Sequence, residues 1–184
     1  MLLGGCSETT ILQVDLTQQQ GLYVVGYTED PVIRSRMEEQ LVADLIEQDI
    51  IALASYQDII EIIESTPQEL IDEAMGKKVL GIIVINQVAA DASDSIVQNP
   101  DRISPLHPTI QEFYAYSRDL AGQAYAQDRE TFAEVNLFLL DNGEAKLYWS
   151  GTTWSFNVDN QGSAIRGISN LIVQQLVALR ERVL

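Results

Sequence analysis

In the first half of the chain, short runs of apolar residues alternate with segments in which apolar residues recur with the period of an α-helix. GLYVVGYT, a run of β-forming residues bounded by glycines, predicts a buried strand at residues 21–28. The segment that follows predicts an amphipathic helix, with Asp30 as N-cap and Pro31 at the first helical position. Its apolar stripe comprises Ile33, Met37, Leu41 and Leu45, widened by Val42 and Ile46.

Two more strands and a second helix are predicted downstream. Residues 50–55, IIALAS, form the next apolar run. Thr66 and Glu69 then have the spacing of a capping box, and Gly76 suits the end of that helix. The run VLGIIVINQV is apolar almost throughout and predicts a central strand covered on both faces. Strand, helix, strand, helix, strand is typical of an α/β layer with right-handed crossovers.

The regular pattern stops at about residue 89 and resumes at about residue 129. This stretch holds three of the five prolines, three of the seven tyrosines and the only histidine. We expect a long irregular insertion lying over the sheet, in which residues 109–127 form an irregular helix bearing Phe113, Tyr114 and Tyr116.

The last third predicts a β-hairpin followed by a long helix. Two alternating strands are joined by Asp141-Asn142-Gly143, a strong hairpin-turn signal. Residues 163–184 then place apolar side chains on one helical face. The sequence therefore predicts a single α/β domain over residues 21–184, with helices packed on a mixed central sheet. Residues 1–20 precede it as a polar leader.

Charge excludes several classes of partner. The 184-residue chain has a formal net charge of -16. Phosphate contacts need clustered lysine and arginine, so nucleic acid is not expected as a partner, and neither is electrostatic docking on anionic lipid. The longest apolar run, near residues 79–85, is too short to span a bilayer.

Candidate catalytic chemistry is sparse. The single histidine, His107, lies between Leu106 and Pro108 in the irregular insertion, where a surface role is more common than a catalytic one. No phosphate-binding glycine motif opens a helix, and the metal-ligand spacings of ordinary zinc sites are absent. We therefore expect no enzymatic activity, no metal and no cofactor.

Two groups of aromatic residues are candidates for binding. Phe113, Tyr114 and Tyr116 in the insertion suit a protein contact surface. Trp149 and Trp154 flank Ser-Gly-Thr-Thr in the second hairpin strand, where they could stack on sugars or pack under the last helix. The alternative function they indicate is a small-ligand or glycan-binding domain, or a weak hydrolase.

The start of the chain carries the most specific motif. Leu3-Gly4-Gly5-Cys6 resembles the lipobox of bacterial lipoproteins, and Cys6 is the only cysteine. The resemblance implies cleavage before Cys6, lipidation of its sulfur and acylation of its amine, which together anchor the chain in a membrane. Ser7 in the next position implies sorting to the outer membrane. Only five residues precede Cys6, so we expect either an upstream start codon, a trimmed chain, or an incidental cysteine on a cytosolic domain.

Two stretches of the domain resemble a group of envelope lipoproteins. They are residues 21–59, with Ser55-Tyr56 after the second strand, and the hairpin segment LYWSGT at residues 147–152. The same architecture occurs in the amino-terminal domain of TolB and in lipoprotein activators of penicillin-binding proteins. These are packing motifs, so the resemblance implies a fold and no catalytic residue. Together with the lipobox, it implies a non-enzymatic, periplasm-facing lipoprotein that binds another envelope protein.

Overall fold

The computed structural model describes residues 21–89, 108–121, 131–155 and 161–183. They form an α/β fold, which confirms the predicted class, with four helices on one five-stranded sheet. In chain order the elements are β1 (Leu22–Tyr27), α1 (Pro31–Ile46), β2 (Ala52–Ala54), α2 (Pro67–Gly76), β3 (Gly81–Ala89), α3 (Ile110–Ala121), β4 (Thr131–Asp141), β5 (Glu144–Ser155) and α4 (Gln161–Val183).

The sheet is mixed, and its strand order is β2-β1-β3-β4-β5. β1 lies between β2 and β3 and is parallel to both, as the predicted crossovers require. β4 is antiparallel to β3 and to β5. The hairpin turn holds Asn142 at φ 51° and Gly143 at φ 84°, the left-handed conformations that these two residue types tolerate best.

Helices cover both faces of the sheet, so the strands contribute to two apolar cores. On one face α1 and α4 pack over side chains such as Val24, Ile83 and Val135. On the other face α2 and α3 pack over Tyr23, Val84 and their neighbours. This two-sided burial explains why β1 and β3 read as continuous apolar runs rather than as alternating patterns.

The helix starts follow the sequence signals closely. The Asp30 carboxylate accepts hydrogen bonds from the backbone N–H groups of Val32 and Ile33, at 2.8 and 3.1 Å. The capping box at α2 is complete, since the Thr66 hydroxyl accepts from Glu69 N and the Glu69 carboxylate accepts from Thr66 N. Both caps satisfy donors that the first helical turn leaves without partners.

Candidate functional site

Two of the three predicted partner-binding residues, Phe113 and Tyr114, lie in the core, so their burial contradicts the contact role predicted for them. Phe113 and Tyr114 are 0% and 2% exposed, and α3 presses them against the sheet. The Tyr114 ring meets Tyr27 edge-on with centroids 5.0 Å apart, and the Phe113 ring meets Phe138 at 6.0 Å. Tyr116 on the same helix is half-buried. Because apolar burial drives α3 onto the sheet, Phe113 and Tyr114 stabilise the fold instead of offering a contact surface, and the role of Tyr116 stays a prediction.

The tryptophan candidates lie on β5. Trp149 is half-buried against the α1/α4 core. A Cβ atom at Gly151 would lie 2.5 Å from the Trp149 ring, so the ring rests directly on the glycine backbone. Trp154 belongs to β5, but its side chain lies outside the described residues. Cys6, the polar leader and His107 also lie outside them.

Within the described residues, a buried polar network joins α1 to the carboxyl ends of β1 and β2. Arg34 Nε donates to Glu38 Oε1 at 2.9 Å, one helical turn away, and both side chains are almost fully buried. The Glu38 carboxylate also accepts from the backbone N–H groups of Gly26 and Tyr56 at 2.8 Å, and from the Ser55 hydroxyl at 2.9 Å. We call Arg34, Glu38 and Ser55 the clasp.

The arginine of the clasp fixes the chain that follows β2. Its Nη1 donates to the carbonyl oxygens of Ile59 and Ile60 at 2.6 and 3.0 Å, and its Nη2 donates to the Ser55 hydroxyl at 2.8 Å. Every polar group of this buried ion pair thus has a partner within the domain. A buried charge pair satisfied in this way is typical of structural positioning rather than of catalysis.

A groove lies along the edge of the sheet that β2 forms. The groove has a volume of about 480 Å³ and is walled by α1 on one side and by the segment after β2 on the other. Its α1 wall includes Val42, Ala43 and Ile46, and its floor includes Ala52 and Ala54. The alanines leave space that larger side chains would fill.

Hydrogen bonds hold the second wall of this edge groove. Tyr56 N donates to Glu38, and the Tyr56 hydroxyl donates to Glu39 Oε1 at 2.6 Å. Asp58 accepts from the Tyr23 hydroxyl at 3.0 Å and from Lys77 Nζ at 2.7 Å. The hydrogen bond from Lys77 lowers the pKa of Asp58, and burial raises that of Tyr23. Hydrogen bonds within the domain therefore fix this wall at both Tyr56 and Asp58.

A second buried polar group lies beneath the end of α3. Glu134 on β4 is 3% exposed, and its Oε1 accepts from Asn136 Nδ2 at 3.1 Å. Its register partner on β3 is Asn86, whose Nδ2 donates to the Ser117 hydroxyl of α3 at 3.1 Å. Burial raises the pKa of Glu134, because the interior disfavours its charged form.

Within the described parts of the chain, no three His, Cys, Asp or Glu side chains group together as a metal site would require. Over the same residues, no helix combines the length and apolar character that crossing a membrane demands.

No protein-family model matches the chain, and no curated protein does. A variant of PelC from Paraburkholderia phytofirmans, solved as a dodecamer, aligns over 84% of this chain and 87% of that chain, with 10% sequence identity and a TM-score of 0.43. At that score the likeness supports no conclusion about function or assembly. The resemblance to envelope lipoproteins stays a prediction.

Sequence reasoning missed both the clasp and the edge groove. The clasp had a local signal, since Arg34 and Glu38 stand four residues apart on the stripe side of α1. Charges on a helix are usually solvated, so that spacing alone does not indicate burial. The edge groove had no local signal, because only the strand order puts β2 at the edge.

Proposed function

We propose that this chain is a lipid-anchored, non-enzymatic component of the bacterial cell envelope whose α/β domain binds another envelope protein. The observation that carries the proposal is the motif Leu3-Gly4-Gly5-Cys6, followed by a polar leader that ends where β1 begins. A thiol is the group that accepts the diacylglyceryl chain, and several acyl chains give lasting attachment.

The geometry of the domain is consistent with a tether. Gly21 lies at the amino ends of the parallel strands, where its carbonyl oxygen accepts from Leu80 N and the adjacent Leu22 N donates to Ile51 O. The hairpin turn at residues 142–143 lies at the same pole, because β4 runs antiparallel to β3. A leader anchored at Cys6 therefore reaches the domain at one defined pole.

The opposite pole carries exposed apolar side chains. Val32, at the start of α1, is 53% exposed, and Ile60, whose carbonyl oxygen is held by Arg34, is 79% exposed. Exposed apolar side chains suit a protein contact better when hydrogen bonds hold their backbone in place than when they lie on a solvated loop. This pair replaces the aromatic residues of α3 as the proposed contact surface.

The glycan-binding alternative gains no support from Trp149. One face of its ring is covered by Gly151, and the ring also packs against the α1/α4 core. Sugar stacking needs an accessible ring face.

Two experiments test the two halves of the proposal. Metabolic labelling with palmitate in a Gram-negative host should label the protein, and Cys6→Ser should abolish the label. A photo-crosslinking residue at Ile60 should capture an envelope protein in cells. The matched control is Met75, which is also exposed (47%) but lies at the carboxyl end of α2. Unlabelled protein would refute the anchor, and equal capture from both positions would refute the contact surface.

A further inference from the structure

We propose that the edge groove binds an extended segment of a partner protein, which adds to the sheet as a strand beside β2. The segment alternates apolar with polar residues and carries a basic residue at each end. This inference goes beyond the lipid anchor and the contact surface at Ile60, and it can hold or fail without either. It rests on the backbone of β2, the apolar side chains around it and the charges at its two ends.

Half of the backbone polar groups of β2 point away from the sheet. Ser55 N donates to Val24 O, so the odd-numbered residues of this stretch direct their polar groups towards β1. In a parallel ladder the alternate residues direct theirs away from it. Within the described residues β2 has β1 as its only neighbouring strand. The N–H and C=O groups of Ala52 and Ala54 are therefore placed to bind an added strand.

The side chains around β2 are small or apolar. Ala52 and Ala54 form the floor of the edge groove, and Val42, Ala43 and Ile46 belong to its α1 wall. Sheet edges are usually protected by charges or proline on the edge strand, and β2 carries neither. An added strand would bury its apolar side chains on this floor and against this wall. Burial would therefore stabilise the bound segment together with the hydrogen bonds.

Among the described residues that line the edge groove, three are charged: Glu39, Asp58 and Lys77. Lys77 Nζ lies 2.7 Å from Asp58 Oδ1 and 3.6 Å from Glu73 Oε1, so its positive charge is already paired. Glu39 accepts from the neutral Tyr56 hydroxyl, a contact that leaves its negative charge uncompensated. The charged part of the groove is therefore acidic overall.

Acidic residues flank β2 at both ends. Glu39 lies at the carboxyl end, where it is bonded to Tyr56. Arg36, one turn earlier on α1, lines the gap between α1 and α4 instead of the groove. Glu47 and Asp49 precede the amino end of β2, and both are exposed. A segment with a basic residue at each end therefore meets the opposite charge at both ends, whichever way it runs.

The same charges disfavour a second copy of this chain as the occupant. Two β2 edges could pair antiparallel only by putting the acidic carboxyl end of each strand beside the acidic amino end of the other. Like charges in such positions repel, and each chain has a formal net charge of -16. A basic segment is attracted by the same field, so the charges select a partner of opposite sign.

Titration of the full chain carrying Cys6→Ser with a synthetic peptide, followed by amide NMR, tests the proposal. The peptide alternates valine and threonine between two terminal lysines. Its length of about seven residues spans roughly 24 Å when extended. We expect saturable shifts at the amides of Ala52 and Ala54, with a dissociation constant below about 1 mM. The same peptide with glutamate at each end should bind at least about tenfold more weakly.

Methylated peptides test whether the segment binds as a strand. One peptide is methylated on its valine amides and the other on its threonine amides. A strand at the edge of a sheet bonds to its neighbour through alternate residues, so one of the two peptides should lose binding and the other should keep it.

Matched variants of the chain test the charges. Glu39→Gln combined with Glu47→Gln removes one charge at each end of β2 and should weaken binding at least about fivefold. The control combines Glu112→Gln with Glu144→Gln, which removes the same charge from α3 and β5. It should change the affinity by less than about twofold, because neither residue lines the edge groove.

Several results would overturn the proposal. They are the absence of saturable shifts at Ala52 and Ala54, equal binding of the lysine- and glutamate-ended peptides, and binding that survives both methylations. So would slow exchange of these two amides before any peptide is added, because the edge would then already be covered. Protection that is lost on roughly tenfold dilution would identify a second copy as the occupant, and protection that persists would identify the chain itself.

Discussion

Removal of the Glu38 carboxylate is expected to destabilise the domain more than removal of any exposed charge. In the folded protein this carboxylate accepts from four donors at 2.8 to 2.9 Å: Gly26 N, Arg34 Nε, Ser55 Oγ and Tyr56 N. Glu38→Ala leaves Arg34 charged and nearly fully buried without its counter-ion. Breaking one partner of a buried ion pair typically costs about 3–5 kcal/mol.

The neighbouring residue provides a matched control. Glu39 is exposed and accepts one hydrogen bond, from the Tyr56 hydroxyl. Glu39→Ala should therefore cost no more than about 1 kcal/mol. Urea unfolding followed by far-UV circular dichroism would give both free energies of unfolding. Replacing both partners, as Arg34→Met with Glu38→Leu, should recover much of the loss, because no buried charge remains.

A loss below about 1 kcal/mol for Glu38→Ala would refute this interpretation of the clasp. It would mean that Arg34 finds water or another partner, and that the segment after β2 is not held by the network.

Three further perturbations test other parts of the structure. Phe113→Ala should lower the free energy of unfolding by about 3–5 kcal/mol, measured with urea, because the ring fills the core; a change near zero would restore Phe113 as a surface residue. Thr66→Ala should cost about 1 kcal/mol through the lost capping box, and a neutral result would contradict the α2 cap. Burial raises the pKa of Glu134 above its usual 4.5, so the folded state holds this proton more tightly than the unfolded chain does. Stability should therefore fall as pH rises from 4.5 towards the raised pKa, and Glu134→Gln should remove that fall; an unchanged pH profile would contradict it.

Local signals predicted most of the helices and strands, because helix caps and tight turns each require particular residue types. Asp30 with Pro31 and Thr66 with Glu69 marked two helix starts, and both caps form. Asn142-Gly143 marked the hairpin turn for the same reason, since few residues adopt its positive φ angles. These signals act over four residues or fewer, so they can be read without the fold.

The side chains that form the sites were predicted poorly, because their burial depends on long-range packing. α3 begins in a proline-bearing stretch that looked irregular, yet the apolar side chains of Ile110, Phe113 and Tyr114 bind it to the sheet. The same packing buries Phe113 and Tyr114, two of the three residues predicted as a contact surface. Ser55 was noted only within a packing motif, and its part in the clasp requires α1, β1 and β2 to meet.

The mass of the N-terminal peptide, measured on protein isolated from its native host, tests the central claim most directly. The lipid-anchor proposal predicts a peptide that begins at Cys6 and carries the added mass of a diacylglyceryl group and an acyl chain. An unmodified peptide in which residues 1–5 still precede Cys6 would contradict it and would make the cysteine incidental.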